Sequence, residues 1–545
     1  MTSYLNQTEH SGARRAVVGV PGDSPVRLAL SVVLVGLALS IGWGIRGNFG
    51  HEYGAMIPGV LASLAAVLLS GRSDWHRRAH LFAFFGAIGW SFGGSISYMQ
   101  VIGYTHSGHG PSVLYGFACL FLIGFLWAAL GGAGSALPAI LDRKAISEFF
   151  VPLTVIFAAW IIQDVAVGVL VPVNPGFRQQ SPLYWYDSDW LAALLAIVAV
   201  LTLAMIRRRL DSASTLMLHL AIGWWAGFLI LVNLLGWRMT PPRGDNWAGC
   251  VGMVMGMWIY FWRQGLHSLL FVSLISGLIG GFGFATADLL KLLGIATGLD
   301  TNWHSLLEQT YGLINGLGLA VVLFWLARRS APVSDTPTER TWIDYFAVAF
   351  VLLVVSYVNL VKNPEEWVKA KAMPAVLYGL SPEIWFEAVY ALLAVAFIAI
   401  QLAHHRRPLP LLPEHWLGRG QWIFLVFLWW MVLGNFARAL VSFAPARLVT
   451  EGVIFFNAVI CTAGLILLAP HPVSRPVCSP GPWRPPWAKG LLIGGCLVVV
   501  SLLGDWGLVR AVYGDRPASN SSKHIRFGPD STATKAKPVS GAPHP

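Results

Sequence analysis

Charge is what this chain has least of. Asp, Glu, Lys and Arg make up 12% of its 545 residues, about half the share usual in soluble domains. The five cysteines, Cys119, Cys250, Cys461, Cys478 and Cys496, show neither CxxC nor metal-ligand spacing. A disulfide framework and a zinc site are therefore not expected. There is no GxxxxGK followed by Ser or Thr, and no polar stretch large enough to house a nucleotide-binding domain. That disfavours ATP-driven work by this chain alone. Nothing in the sequence asks for a cofactor or a metal.

What fills the chain instead is apolar. Hydrophobic residues reach 56%, mean hydropathy is +0.62, and apolar runs of about 17–22 residues recur, long enough to cross a bilayer. Fifteen spans are expected, at 27–45, 54–70, 81–101, 113–131, 150–172, 189–206, 216–236, 247–263, 266–288, 307–327, 342–361, 384–403, 421–441, 449–469 and 488–510. Runs of that length predict an all-α polytopic membrane protein and not a β-barrel. With the N-terminus inside, the inner segments hold twenty-one Lys and Arg against ten in the outer loops before the tail. That asymmetry predicts a cytoplasmic N-terminus in a plasma or inner membrane. The net charge of +11 is thus topology. Its carriers are scattered over short loops, which argues against nucleic acid as a partner. The expected partners are the bilayer and a small-molecule substrate; partner proteins are not indicated. Residues 1–26 are polar with no cleavage signature after the first run, so that run is expected to be retained. The tail from about 515, rich in Ser, Pro, Lys and Gly, is expected to be disordered.

The first 400 residues read as one unit written twice, at an offset of about 195. Gly42-Trp43 falls on Gly236-Trp237, Gly103 and His109 on Gly298 and His304, Tyr115-Gly116 on Tyr311-Gly312, and Asn174-Pro175 on Asn363-Pro364. The expected organisation is two six-span units, 27–209 and 217–407, three C-terminal spans over 421–510 and the tail 515–545. Six spans per unit is even, so both units enter from the same side. This plan is similar to that of the two halves of major-facilitator transporters. The loop Gly71-Arg-Ser-Asp-Trp-His-Arg-Arg78 resembles a loop motif of that family, with the spacing off by one and no counterpart in the second unit. No family membership follows. Gly434-Asn435-Phe436 echoes Gly47-Asn48-Phe49 with a Glu following each at unlike distances, which carries no weight by itself. Glycines four apart, as in Gly89 and Gly93, Gly252 and Gly256, or Gly312 and Gly316, predict close helix packing.

The densest polar cluster joins spans 1 and 2. It carries Arg46, Asn48, His51, Glu52 and Tyr53 among glycines, and its counterpart after span 7 carries Arg238, Arg243, Asp245 and Asn246. A duplicated frame with unlike polar groups suits an asymmetric ligand between two halves; interfacial capping is the plainer alternative. His106 and His109 sit at i, i+3 with no further local ligand, so no metal site is expected. The loops at 174–187 and 363–369 interleave aromatics with charge, as an interfacial segment does. Gln163, Asp164, His219, Asn233, Asn315, Asn359 and Asp505 stand in apolar company, and an intramembrane carboxylate points to an ion path by default.

These readings predict a secondary transporter of a small polar or anionic solute. Arg46, Asn48, His51, Glu52, Tyr53, Arg238, Arg243, Asp245 and Asn246 would bind the solute, and Asp164 or Glu52 would take the coupling ion. The alternative is a membrane-embedded transferase acting on a lipid-linked substrate at the outer face, with Glu52, His51 or Asp245 as acid and base.

Overall fold

The computed structural model describes residues 24–50, 52–94, 96–170, 189–240, 246–333, 342–406, 419–468, 485–518, 524–529 and 531. Among them every regular element is helical; the one β feature is a bridge between Leu377 and Leu380. The helices are α1 (Pro25–Phe49), α2 (Glu52–Leu69), α3 (Ser73–Arg77), α4 (Ala79–Gly93), α5 (Met99–Thr105), α6 (Gly110–Ile140), α7 (Arg143–Leu170), α8 (Asp189–Arg207) and α9 (Ser212–Leu234). They continue as α10 (Asn246–Arg263), α11 (His267–Ala296), α12 (Trp303–Arg329), α13 (Trp342–Lys369), α14 (Pro382–Arg406), α15 (Arg419–Val441), α16 (Pro445–Leu468) and α17 (Trp487–Tyr513). Thirteen of these are long and apolar enough to cross a membrane. The protein is accordingly polytopic; of the fifteen expected spans, thirteen fall on these helices, whereas 247–263 falls on α10 and 81–101 on α4 and α5, which are not among the thirteen. α9, α13 and α17 each contain a π-helical stretch, at Leu229–Leu234, Phe350–Val355 and Val500–Gly504.

The third expected span, 81–101, is not one helix. α4 stops at Gly93, Gly94 caps it, and α5 restarts at Met99 with Tyr98 just before it. Consecutive glycines lower the local helix preference, and Ile96 and Tyr98, beside the break, are buried in the protein.

The core is a closed ring in which α1 packs on α2, α2 on α4, α4 on α6, α6 on α11, α11 on α12, and α12 back on α1. α2, α6 and α12 also touch one another across the middle, so the ring is filled. Glycine sets its seams. A Cβ on Gly59 would meet the Gly86 carbonyl at 2.3 Å, one on Gly124 the Gly280 carbonyl at 2.3 Å, and one on Gly316 the Gly36 Cα at 2.8 Å. Lipid gives apolar helices no reason to associate, and such close backbone approach supplies dispersion where the hydrophobic effect does not.

The ring draws α1, α2, α4 and α6 from the first expected unit but only α11 and α12 from the second. α9 and α10, expected counterparts of α1 and α2, pack mainly on each other outside it. The matched Trp43 and Trp237 differ accordingly: the first is fully buried and the second is 59% exposed.

The end of the bundle where α1 passes into α2 is the upper end below. The lower end is latched by the loop 71–78. Arg72 donates to both carboxylate oxygens of Asp74, at 2.8 and 2.6 Å, and to the Ala327 and Ser330 carbonyls at the end of α12. Arg78, fully buried, donates to the Pro138 and Leu141 carbonyls at the end of α6. A cation at a helix C-terminus satisfies orphan carbonyls and the helix dipole together. The sequence whose spacing resembled a transporter motif is, in this fold, a pair of helix caps.

Candidate functional site

Arg46 lies in the last turn of α1 and points into the ring, with 3% of its side chain exposed. Its Nη1 donates to Glu308 Oε1 on α12 at 3.0 Å and to the Tyr98 hydroxyl at 3.3 Å. Tyr98 in turn donates to the same Glu308 oxygen. His304, one turn above Glu308, brings Nε2 to 3.3 Å from the Tyr98 hydroxyl and 3.9 Å from Glu308. Glu308 is completely buried, whereas the His304 side chain is 34% exposed, so the cluster sits one layer beneath the upper surface. Gly47 is exposed beside it; a Cβ there would lie 3.5 Å from Glu308 Cγ. Among the described residues, Glu308 Oε2 and His304 Nδ1 have no hydrogen-bond partner.

The guanidinium rests on rings. Its central carbon is 5.2 Å from the Trp43 centroid, 5.4 Å from Tyr98 and 5.1 Å from Trp127, within cation–π range. Beneath it Trp43 stacks on Trp127 at 5.0 Å and meets Trp90 and Tyr311 edge-on at 5.8 and 4.8 Å. Phe284 of α11 closes the group at 5.0 Å from both Trp127 and Tyr311. Five of the six ring helices thus contribute to an aromatic plug. The indole N–H groups of Trp43, Trp90 and Trp127 are buried with no acceptor among the described residues, which is unusual because a buried indole normally finds one. Below the plug, Ser63 of α2 donates to Ser135 of α6 at 2.9 Å.

Asn48 belongs to a second polar group. Its Nδ2 donates to Asn435 Oδ1 at 2.7 Å and to Glu451 Oε1 at 2.9 Å; Asn435 donates to Glu451, and Arg447 donates back to Asn48. The glycine-asparagine-phenylalanine echo is therefore a contact: the two asparagines share one carboxylate. Arg438 of α15 reaches Asn363 at 3.3 Å and Glu366 at 3.5 Å, over the Phe49 ring. Lys362 donates to the Phe49 carbonyl, and Asn359 to that of Tyr53 at 3.1 Å. α13, α15 and α16 thus wrap the junction between α1 and α2.

The remaining expected site residues scatter. Glu52, Tyr53 and Asp164 are exposed, and Glu52 and Asp164 lie within electrostatic reach of each other. The Arg238 carbonyl accepts from Tyr115 and Arg526, at 3.2 and 3.1 Å. Asn246 is buried at the top of α10. His51, Arg243 and Asp245 lie outside the described residues. Of the expected binding residues, Arg46 alone is in the buried cluster.

Glu308, Tyr98 and His304 complete that cluster. Glu308 was legible, since it is the single carboxylate of the expected span 307–327 and the argument that singles out Asp164 applies to it equally. His304 was marked only by its match to His109. Tyr98 carried no signal, because the break that places it was read as continuous helix.

No family model, no curated protein and no solved structure matches the chain.

Proposed function

We propose that this protein is a secondary transporter that binds a small polar or anionic solute at Arg46 and couples its movement to an ion. The observation that supports this most is the broken third span, which brings Tyr98 onto a buried Arg46–Glu308 pair inside a ring of membrane helices. Interrupted helices with polar groups at the break are how secondary transporters hold solute within the bilayer. A buried ion pair is a weak source of stability, so its presence fits a functional role better than a scaffolding one. An anionic solute entering from the upper end competes with Glu308 for the guanidinium. Glu308, displaced, then needs a proton to remain buried, and His304 and Tyr98 stand within reach to pass one. On the basic-inside asymmetry the upper end faces outward.

A second reading, a transferase acting on a lipid-linked substrate, is favoured by the part-exposed His304 beside Glu308 and Tyr98, a set able to give and take protons at one face. Two-sided thiol labelling separates the two. In a version lacking native cysteines, Gly47→Cys reports on the upper side of the plug and Ser63→Cys on the lower. A transporter labels Gly47→Cys from outside and Ser63→Cys from inside, and a solute that protects one exposes the other. Labelling of Gly47→Cys from outside under all conditions, with Ser63→Cys never reactive, rejects transport in favour of chemistry at the outer face.

A further inference from the structure

The hairpin of α9 and α10 leaves a cleft where it meets the ring. Its glycines lie on its own seam: a Cβ on Gly227 would meet the Ala248 carbonyl at 2.2 Å, and one on Gly256 the His219 carbonyl at 2.1 Å. Such contacts hold α9 and α10 tightly to each other. Toward the ring the hairpin presents larger side chains instead. Leu216 and Leu220 of α9 and Met257 and Phe261 of α10 line the cleft together with Phe85 of α4 and Leu137 of α6. Its volume is about 60 Å³, and every side chain lining it, from α4, α6, α7, α9 and α10, is apolar.

Leu137, Leu216 and Phe261 also line a second cleft of about 120 Å³, at the lower end of the same helices. Here Ser212, Tyr260 and Gln264 bring in polar groups. The Tyr260 hydroxyl donates to the Ser212 carbonyl at 3.0 Å and lies 2.5 Å from the Ser212 hydroxyl. The two clefts adjoin, so the whole is apolar in its depth and polar at its mouth. That is the amphipathy of a phospholipid. An apolar cavity excludes water, and left unfilled it forfeits contacts along every wall. Inside a bilayer the apolar filler at hand is an acyl chain.

Each wall of the mouth also carries a cation. Lys144 precedes Ala145 and Arg263 precedes Gln264, both lining residues, while Arg208 and Arg209 stand just before the start of α9; all four are exposed. Most acidic side chains of this rim, among the described residues, are engaged elsewhere. Asp142 accepts from the Ala145 N–H at 2.7 Å, and Asp211 accepts from the Ser214 N–H at 2.7 Å and lies 3.6 Å from Arg207. Asp344 is held by Arg143 at 2.6 Å and lies 2.7 Å from His80. Glu148 is the acidic side chain within reach of Tyr260 that no such contact occupies. Basic pockets between membrane helices hold anionic headgroups.

We infer that this cleft is a binding site for an anionic phospholipid of the leaflet at the lower end. One acyl chain lies between the ring and the hairpin, and the phosphate meets Lys144 and Arg263 beside the hydroxyls of Ser212 and Tyr260. The lipid ties α9 and α10 to the ring, whether or not the protein transports a solute.

Phosphatidylglycerol with a diazirine near the end of one acyl chain tests this, as a minor component of phosphatidylcholine nanodiscs holding the full chain. After irradiation the label is expected in segments 149–153, 216–220 and 257–261, and only sparsely in α14, most of whose surface is exposed. Unlabelled phosphatidylglycerol competes, whereas phosphatidylcholine and inorganic phosphate do not. Lys144→Ala and Arg263→Ala each raise the phosphatidylglycerol fraction needed for half-maximal labelling about fivefold, and thermal unfolding confirms that each variant is folded. Leu220→Trp, which fills the cleft, removes the label from these segments. Label spread evenly over the cleft and α14 overturns the inference, as does equal competition by phosphatidylcholine or a half-maximal fraction unchanged in both alanine variants. Displacement by inorganic phosphate alone overturns it in favour of a free-anion site. A dimer in native mass spectrometry, with no label in the cleft, overturns it in favour of a second copy of the chain.

Discussion

Asn48 and Asn435, far apart in sequence and on different helices, meet amide to amide at 2.7 Å and both donate to the carboxylate of Glu451. This contact ties α15 and α16 to the end of α1, immediately beside the residue that carries Arg46 into the ring. Asn435→Ala leaves one Glu451 oxygen and the Asn48 amide short of partners in a buried setting. Unmet buried polar groups cost about 1–3 kcal/mol. A lowered unfolding midpoint in detergent is the expected outcome; an unchanged midpoint would mean that the contact does not hold the junction together.

Removing one partner of the central ion pair is expected to cost more. Glu308→Ala strands a buried guanidinium, and breaking a buried pair in this way costs about 3–5 kcal/mol. The double variant Arg46→Met with Glu308→Leu fills the same space without charge and is expected to recover most of that loss. Its thiol labelling should nevertheless stop responding to any solute. Unfolding midpoints of the three proteins, read with Gly47→Cys labelling, separate a structural from a functional role.

Glycine seams differ sharply in what they tolerate. At Gly59 a methyl group falls 2.3 Å from a backbone carbonyl of α4, and Gly59→Ala is expected to cost about 1–3 kcal/mol through overpacking. At Gly168 in α7 nothing lies within 4 Å. Gly168→Ala should therefore be neutral or stabilise by up to about 1 kcal/mol, as helix preference alone dictates. Thermal unfolding of the pair, run side by side, checks both.

The lower latch gives a pH dependence of known sign. Burial works to raise the Asp74 carboxyl, but the hydrogen bonds from Arg72 and the Val333 N–H outweigh it and hold it below its ordinary value of 3.8. A carboxylate held low in the folded state contributes stability in full above that ordinary value. The contribution is lost as pH falls through the folded one. The unaltered protein should lose more stability on acidification below about pH 4 than Asp74→Asn, whose latch no longer titrates. Equal acid sensitivity of the two would show that the latch contributes nothing.

Most of the spans were legible because a bilayer leaves few alternatives: long apolar runs must be helices, and thirteen of the fifteen expected runs fall on helices long and apolar enough to cross. Which helices meet was not legible. Hydropathy says nothing about neighbours when every face is apolar, and the ring is selected by glycines whose partners lie hundreds of residues away, as Gly36 and Gly316 do. The same holds for the site. Arg46 stood out as a charge in a glycine-rich turn, but its partner Glu308 arrives from α12 and Tyr98 from a break in a span read as unbroken. The internal matches concealed this, since they aligned Trp43 with a tryptophan that the fold leaves at the surface.

Arg46 and Glu308 are 262 residues apart, and this has a consequence for how the protein is made. α1 enters the membrane carrying a guanidinium whose counter-charge has not yet been synthesised. Until α12 arrives, the long arginine side chain must reach back to the headgroups, holding α1 shallow, as charged residues near helix ends do. Completion of α12 both neutralises that charge and closes the ring, so one event ends the exposure of both. Chains interrupted between α6 and α12 would carry an open ring and an unpaired charge together. Among truncated chains, these fragments should therefore be the least stable.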